Sequence, residues 1–154
     1  MIQLLGAVYF AIFSIPLVVI DIRERRLPNR ITLPGLAITL AGVLLAGDWG
    51  RSLVSVACGL VLFVVGVAIS LKRWLGMGDV KLLTSLVMIL GWYGWQVLLL
   101  GLAASFTFAG VVVLVRFALK QITASSTIAL GPYLLVGFWV ALSPVVISKL
   151  GGGF

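Results

Sequence analysis

Two aspartates stand out in a chain that has only four acidic residues and no histidine. Asp21 follows the first long apolar run, and Asp79 closes the tetrapeptide Gly76-Met77-Gly78-Asp79 ahead of a later one. A carboxylate at the edge of an apolar segment is costly unless it is paired or used. The glycines before Asp79 leave the backbone bare, permit positive-φ turns and let a second polypeptide approach the acid. Two carboxyl groups held close together cannot both ionise easily. Sharing a proton, one can deprotonate a water while the other protonates a scissile carbonyl oxygen. This is aspartyl-protease chemistry, and it calls for neither a metal nor a cofactor. With no histidine, Ser-His and Cys-His schemes and imidazole proton relays are excluded. Cys58 is the single cysteine and lies within an apolar run, which rules out an intramolecular disulfide and argues against a cysteine zinc site.

Each acid also has a plainer reading. Asp79 alone could be the N-cap of the next helix. Asp21 alone could be a juxtamembrane acid paired with Arg23 or Arg25. The chemical reading requires that the rest of the chain bring the two together.

The elements that would do so are apolar helices. Apolar residues make up 62% of the chain and charged ones 10%, with the charges gathered in the gaps between long apolar runs. Runs of this length fit membrane-spanning helices, and no strand-period alternation points to a barrel. The expected fold is all-α: a polytopic membrane protein with six transmembrane helices, forming a single domain over residues 1–154. The spans fall at 2–20, about 31–47, 52–71, 79–93, 96–115 and 128–147. The first lacks a basic leader and a small-residue cleavage site, so it reads as a retained helix. Asn29 is the expected cap of the second span, and Pro34 is tolerable in its first turn. Residues 47–51 and 91–95 read as turns carrying interfacial tryptophans. Gly101, Ala104, Ser105 and Ala109 in the fifth span suit close helix packing in lipid.

Loop charge sets the orientation. Arg23, Arg25, Arg26, Arg30, Lys72, Arg73, Lys81, Arg116 and Lys120 share one side of a six-span chain, and only Arg51 and Lys149 fall opposite. The positive-inside rule then places both termini outside and Asp21 and Asp79 together at the cytoplasmic face of the plasma membrane, with Asp48 on the other side. The net charge of +7 is thus a matter of topology. No basic run interleaved with aromatics points to nucleic acid. Helix ends would further divide the two acids, with Asp79 at the positive end of a helix as general base and Asp21 at the negative end of another as the protonated partner.

Three motifs carry a resemblance. Asp21 followed by Leu27-Pro28-Asn29, then Gly76-Met77-Gly78-Asp79-Val80-Lys81-Leu82, and finally Leu130-Gly131-Pro132-Tyr133-Leu134 resemble, in this order, those of the type IV prepilin peptidases, the bacterial G-x-G-D intramembrane aspartyl proteases. The resemblance implies Asp21 and Asp79 as the catalytic pair. Gly76, Gly78, Pro28, Asn29, Lys81, Gly131 and Pro132 would bind substrate or shape the site. It implies prepilin or pseudopilin substrates, cut at the cytoplasmic face between a short basic leader and the hydrophobic N-terminal helix, in contact with the lipid bilayer. Larger family members carry an N-terminal domain with paired cysteines and methylate the new N-terminus. Neither that domain nor those cysteines is seen here, so methyl transfer is not expected, and short peptidase-only members serving Tad-type pili or archaeal flagella are the nearer likeness. The third motif has Gly-Pro-Tyr where many members have Gly-Pro-Phe.

Smaller readings follow for single residues. Lys81 could tune Asp79 or meet substrate carboxylates, or simply snorkel to the interface. Glu24 could attract a basic leader or pair with Arg25 or Arg26. Pro132 would kink the sixth span near the site, or merely begin it. Two other functions compete with the protease: a proton-coupled transporter with acids lining an ion path, and a non-catalytic subunit of a pilus or secretion machine.

Overall fold

The computed structural model describes residues 2–24, 27–72, 75–120 and 129–151. Among them are six α-helices: α1 (Leu5–Glu24, preceded by a 3-10 turn over Ile2–Leu4), α2 (Asn29–Leu44), α3 (Trp49–Leu71), α4 (Met77–Trp92), α5 (Trp95–Ala118) and α6 (Gly131–Gly151). Short connections make the consecutive helices from α1 to α5 antiparallel neighbours, and α6 packs on α5.

Four of the helices, those containing residues 2–24, 49–71, 95–118 and 131–148, are long and apolar enough to cross a membrane. The other two are shorter than a full set of six spans would require. At 16 residues each, α2 and α4 extend about 24 Å against the ~30 Å of a hydrocarbon core. The reason differs between the two. Pro28 and the turn at residues 45–47 bound α2. Helix α4 is a core element: Val80 and every residue from Leu82 to Trp92 are buried. It is wrapped by α2, α3, α5 and α6, with α1 touching it. A helix apolar on all sides belongs in an interior, and one sheathed in protein need not match the bilayer's thickness. Outside it, α3 and α5 turn large apolar residues outward, among them Leu60, Val64, Phe106 and Leu114. This surface suits lipid better than water.

Glycines and hydroxyls make the contacts close. A Cβ on Gly66 would lie 2.7 Å from Val80, and one on Gly59 would strike Met88, so α3 rides directly on α4. Ser55 on α3 donates to the Met88 carbonyl of α4. Gly35 on α2 faces Phe10 and Tyr9 of α1, and the Tyr9 hydroxyl donates to the Ile31 carbonyl at 3.0 Å. On α5, Ser105 does the expected small-residue work, abutting Gly137 of α6 and donating to the Leu134 carbonyl at 3.3 Å. Small residues at such crossings let backbones approach where lipid offers no hydrophobic drive for association.

Several boundaries depart from the sequence reading. Asp48 is the N-cap of α3: its side chain accepts the Arg51 N–H at 3.1 Å, so the helix begins at Trp49 and Trp49-Gly50-Arg51 are not a turn. Pro28, in extended conformation, holds the cap position of α2, and its carbonyl accepts from Ile31 and Thr32. Asn29 is therefore the first helical residue and not the cap. Helix α4 starts two residues before Asp79, and α5 continues to Ala118. The second turn is shorter than expected, confined to Tyr93 and Gly94, where Gly94 takes φ +118°. Arg25, Arg26, Arg73 and the connector over 121–128 lie outside the described residues.

The α3–α4 crossing can be tested by overpacking. Val80 is β-branched and stiff, so Gly66→Ile should cost about 1–3 kcal/mol. Gly110 has nothing within 4 Å of a Cβ, so Gly110→Ala should leave stability unchanged or raised by up to ~1 kcal/mol. Thermal unfolding of the two variants in detergent separates the cases.

Candidate active site

The end of the bundle where α1 finishes and α2, α4 and α6 begin collects the polar residues singled out in the sequence. Asp21 lies in the last turn of α1 and is only 3% exposed. Its Oδ2 accepts the backbone N–H of Gly131, the first residue of α6, at 2.9 Å. The first turn of a helix has N–H groups without intrahelical partners, and a carboxylate placed there satisfies one and lies at the positive end of the helix dipole. Asp21 thus caps a helix 110 residues away in the chain.

Asp79 lies against a helix start within its own segment. Helix α4 begins at Met77 with Gly76 as its N-cap, so Asp79 is the third helical residue. Its carboxylate turns back over Gly76, the placement an acid has at this position in a capping box. The plainer reading, Asp79 as the N-cap itself, does not hold: the cap is Gly76, three positions earlier. Asp79 Oδ1 is buried and has no hydrogen-bond partner among the described residues.

Both acids therefore sit against a glycine at a helix start. A Cβ on Gly131 would lie 2.7 Å from Asp21 Oδ2, and one on Gly76 would lie 2.9 Å from Asp79 Oδ2. Only glycine lets the carboxylate come so close to the helix start. Gly78 acts differently. It is helical and not at positive φ, and its bare face is occupied by Leu27, whose carbonyl oxygen would be 2.7 Å from an added Cβ. Leu27 also reaches Gly131, so this one buried residue lies against the helix starts that carry both acids. Across this junction Asp21 and Asp79 are near enough to act on each other electrostatically.

The remaining residues of the sequence reading gather here too. Asn29 opens α2 and accepts a hydrogen bond from Lys81 Nζ at 2.9 Å, joining α2 to α4. Lys81 is thus engaged by Asn29. Pro28 fixes the entry to α2. Pro132 is the second residue of α6, where proline's missing N–H costs nothing, so it begins the helix and does not kink it. The prolines that do lie within transmembrane-length helices are Pro16 and Pro144. Asp48 is at the opposite end of the bundle, paired with Arg51 at 3.1 Å. Glu24 is exposed at the end of α1, and its proposed partners Arg25 and Arg26 lie outside the described residues. Helix ends do not divide the acids after all: Asp21 closes α1 but also caps α6, so both carboxylates lie at a positive helix end. Leu27 stands in the sequence only as part of the Leu-Pro-Asn motif, with no site role given to it. Its other signal is that it is an apolar residue inside the most charged stretch of the chain.

Among the described residues, no group of three or more His, Cys, Asp or Glu side chains gathers as a metal site would. The candidate site is a pair of carboxylic acids, each against a glycine at a helix start, at the edge of an apolar bundle.

The model of the "Type IV leader peptidase family" matches residues 8–115. The chain belongs to the type IV leader peptidase family. The family's matched region includes Asp21, the Leu27-Pro28-Asn29 turn and residues 76–81, and ends before Gly131. Among curated relatives, a prepilin leader peptidase/N-methyltransferase of Stutzerimonas stutzeri is 32% identical over 130 residues, 80% of this chain and 44% of the relative. Proteins of the same description from Aeromonas salmonicida (strain A449) and Aeromonas hydrophila are each 33% identical over 144 residues, 90% of this chain and 48% and 49% of theirs. The chain spans about half the length of the curated relatives it matches. No solved structure gives a significant match.

The two glycines of this family member's G-x-G-D segment should respond differently to alanine. Gly78→Ala forces a Cβ onto the Leu27 backbone, which cannot swing away, and should lower the thermal midpoint by several degrees. Gly76→Ala meets only the movable Asp79 carboxylate and should unfold close to wild type. Equal midpoints would show that Leu27 does not pack on Gly78.

Proposed function

We propose that this chain is an intramembrane aspartyl endopeptidase that releases a short basic leader from prepilin or pseudopilin substrates, with Asp21 and Asp79 as its acid–base pair. The observation that carries the proposal is that Asp21 and Asp79, from helices far apart in sequence, each lie against a glycine at a helix start at one end of the bundle, near enough to act on each other electrostatically. Family membership supplies the reaction class.

Close carboxyl groups relieve their repulsion by holding one proton between them. In the proposed mechanism the ionised partner takes a proton from a water, the resulting hydroxide bonds to the scissile carbonyl carbon, and the protonated partner gives its proton to the carbonyl oxygen. Collapse of this tetrahedral diol breaks the C–N bond, with a proton passing from the pair to the departing amine. The Gly131 N–H holds Asp21 by one oxygen, and Asp79 keeps Oδ1 without a partner among the described residues. Gly76, Gly78, Gly131 and Leu27 would position the pair. Pro28, Asn29, Lys81 and Pro132 would shape its surroundings.

The same end of the bundle carries Arg23, Arg30, Lys72, Lys81, Arg116 and Lys120, while Arg51 lies at the other. This supports a six-helix protein of the cytoplasmic membrane with its site facing the cytoplasm and both termini outside. A proton-coupled transporter fits less well. Among the described residues, the other buried polar side chains are serines and threonines, with no further buried acid to continue an ion path. A non-catalytic membrane subunit is the remaining alternative.

Leader release from a prepilin by the purified protein tests the proposal. Asp21→Asn and Asp79→Asn should each cut the rate by about 10²–10⁴-fold, the usual worth of a positioned acid or base, with the protein still inserted. Asp48→Asn should cleave like wild type. An active Asp21→Asn variant beside an inactive Asp48→Asn variant would contradict the assignment.

A further inference from the structure

A groove of about 570 Å³ runs along the outside of the bundle between α1 and α6. Ser14 and Val18 line it from α1, and Leu135, Trp139 and Val140 from α6. The two helices are antiparallel here, tied at one level by Trp139 Nε1 donating to Ser14 Oγ at 3.2 Å and at another by Gly131 donating to Asp21 at 2.9 Å. Ser14, Val18 and Asp21 follow the i, i+4, i+7 spacing of one helix face. The end of the groove marked by Val18 and Pro132 is therefore one helical turn from the acid pair.

Two properties say what the groove can hold. Its polar atoms are already engaged: the Ser14 hydroxyl donates to the Phe10 carbonyl and accepts from Trp139, and Ser143 donates to Val140 at 3.4 Å. An occupant has no polar group to satisfy and should be apolar. Its lips are open, with Ile15 76% exposed and Val136 and Val140 each 44% exposed. Among the described residues, Leu27 covers Gly78 and Gly131 and the body of α4 is sheathed by its neighbours, while Gly76 and Met77 at its start are exposed. A polypeptide leaving the acids toward the bilayer interior has the α1–α6 groove before it.

We propose that this groove seats the apolar helix of the substrate directly after the scissile bond, parallel to α6. The inference rests on the endopeptidase reading above. An acyl chain or a second copy of this chain could cover an apolar surface anywhere on the bundle. Only a segment continuous with the cleaved peptide has reason to lie in the groove that ends at Asp21. In lipid, apolar contact alone gives little preference, so the groove's contribution is to fix where the substrate helix packs and in what register. At a rise of 1.5 Å per residue, Val136 and Val140 lie about 7.5 and about 13.5 Å below Gly131. A helix parallel to α6 would bring its residues roughly five and roughly nine past the scissile bond to those levels.

Disulfide cross-linking in membranes tests the register. Val136→Cys or Val140→Cys is placed in a Cys58→Ala, Asp79→Asn background that leaves the substrate uncut, with Val61→Cys on the 61% exposed outer face of α3 as control. The probe is a prepilin with a basic leader and single cysteines scanned along its apolar helix. Cross-linking should peak near substrate residue five for Val136→Cys and near residue nine for Val140→Cys, about tenfold above Val61→Cys. Yields equal to the control, yields without a peak, or links only between two copies of this chain would overturn the groove assignment. If wild-type protein fails to release the leader from the same prepilin, the endopeptidase reading falls and the groove assignment with it. Release without registered cross-links removes the groove assignment alone.

Discussion

The first N–H groups of a helix have no partner within it, and an apolar bundle in lipid has little water to offer them. Here the start of α6 gives one such N–H to Asp21 through Gly131, and the start of α4 turns the Asp79 carboxylate back over Gly76. The first arrangement serves both sides of the contact. The α6 start gains an acceptor, and Asp21, which would be expensive at this depth alone, gains a donor and a favourable dipole. Because Asp21 belongs to α1 and Gly131 to α6, the bond also closes the bundle, bringing the first and last helices together at the level of the site. Removing a side chain at each glycine is what makes the approach possible. The glycines therefore belong to the machinery through space and not through unusual backbone angles.

The shortness of α4 follows from its position. A helix that faces lipid must cross it, whereas one covered by α2, α3, α5 and α6 can begin partway along its neighbours. Its first turn is packed by Leu27 at Gly78, held by the turn that Pro28 begins, and tied at the rim by the Asn29–Lys81 bond. The Leu-Pro-Asn turn and the G-x-G-D segment are thus two halves of one junction. Leucine supplies the packing, proline ends the loop, and asparagine makes the polar contact at the exposed side.

Much of this was legible in the chain itself. Acids in an apolar background draw notice because burial makes them costly, and runs of apolar residues bounded by charge give helices within a few residues. The basic loops carry the expectation for the side of the membrane, and the structure gathers the described members of that set at one end. What sequence could not give was partnership across distance. Nothing in the spacing of Asp21 and Gly131 announces a hydrogen bond, so the dipole argument saw only the helix Asp21 ends and missed the one it caps. The Leu-Pro-Asn motif marks Leu27 in the sequence, but its role lies in what it touches. Two of the six expected spans, α2 and α4, come out short of a full bilayer crossing for a related reason, since hydropathy does not distinguish a residue facing lipid from one facing protein. The turn expected at Asp48 gives way to a cap, and Pro132 takes the helix-start reading over the kink, because capping is decided by local hydrogen bonds that composition leaves open.

The claim on which the rest depends is that α1 and α4 bring residues 21 and 79 together in the folded protein, whatever the substrate. It is tested most directly without any activity assay, by Asp21→Cys and Asp79→Cys in a Cys58→Ala background treated with a short thiol-bridging reagent in native membranes. The account expects an intramolecular bridge that protects both thiols from later labelling, lost on unfolding before treatment. Two thiols that remain separately labelled in the folded protein would contradict it.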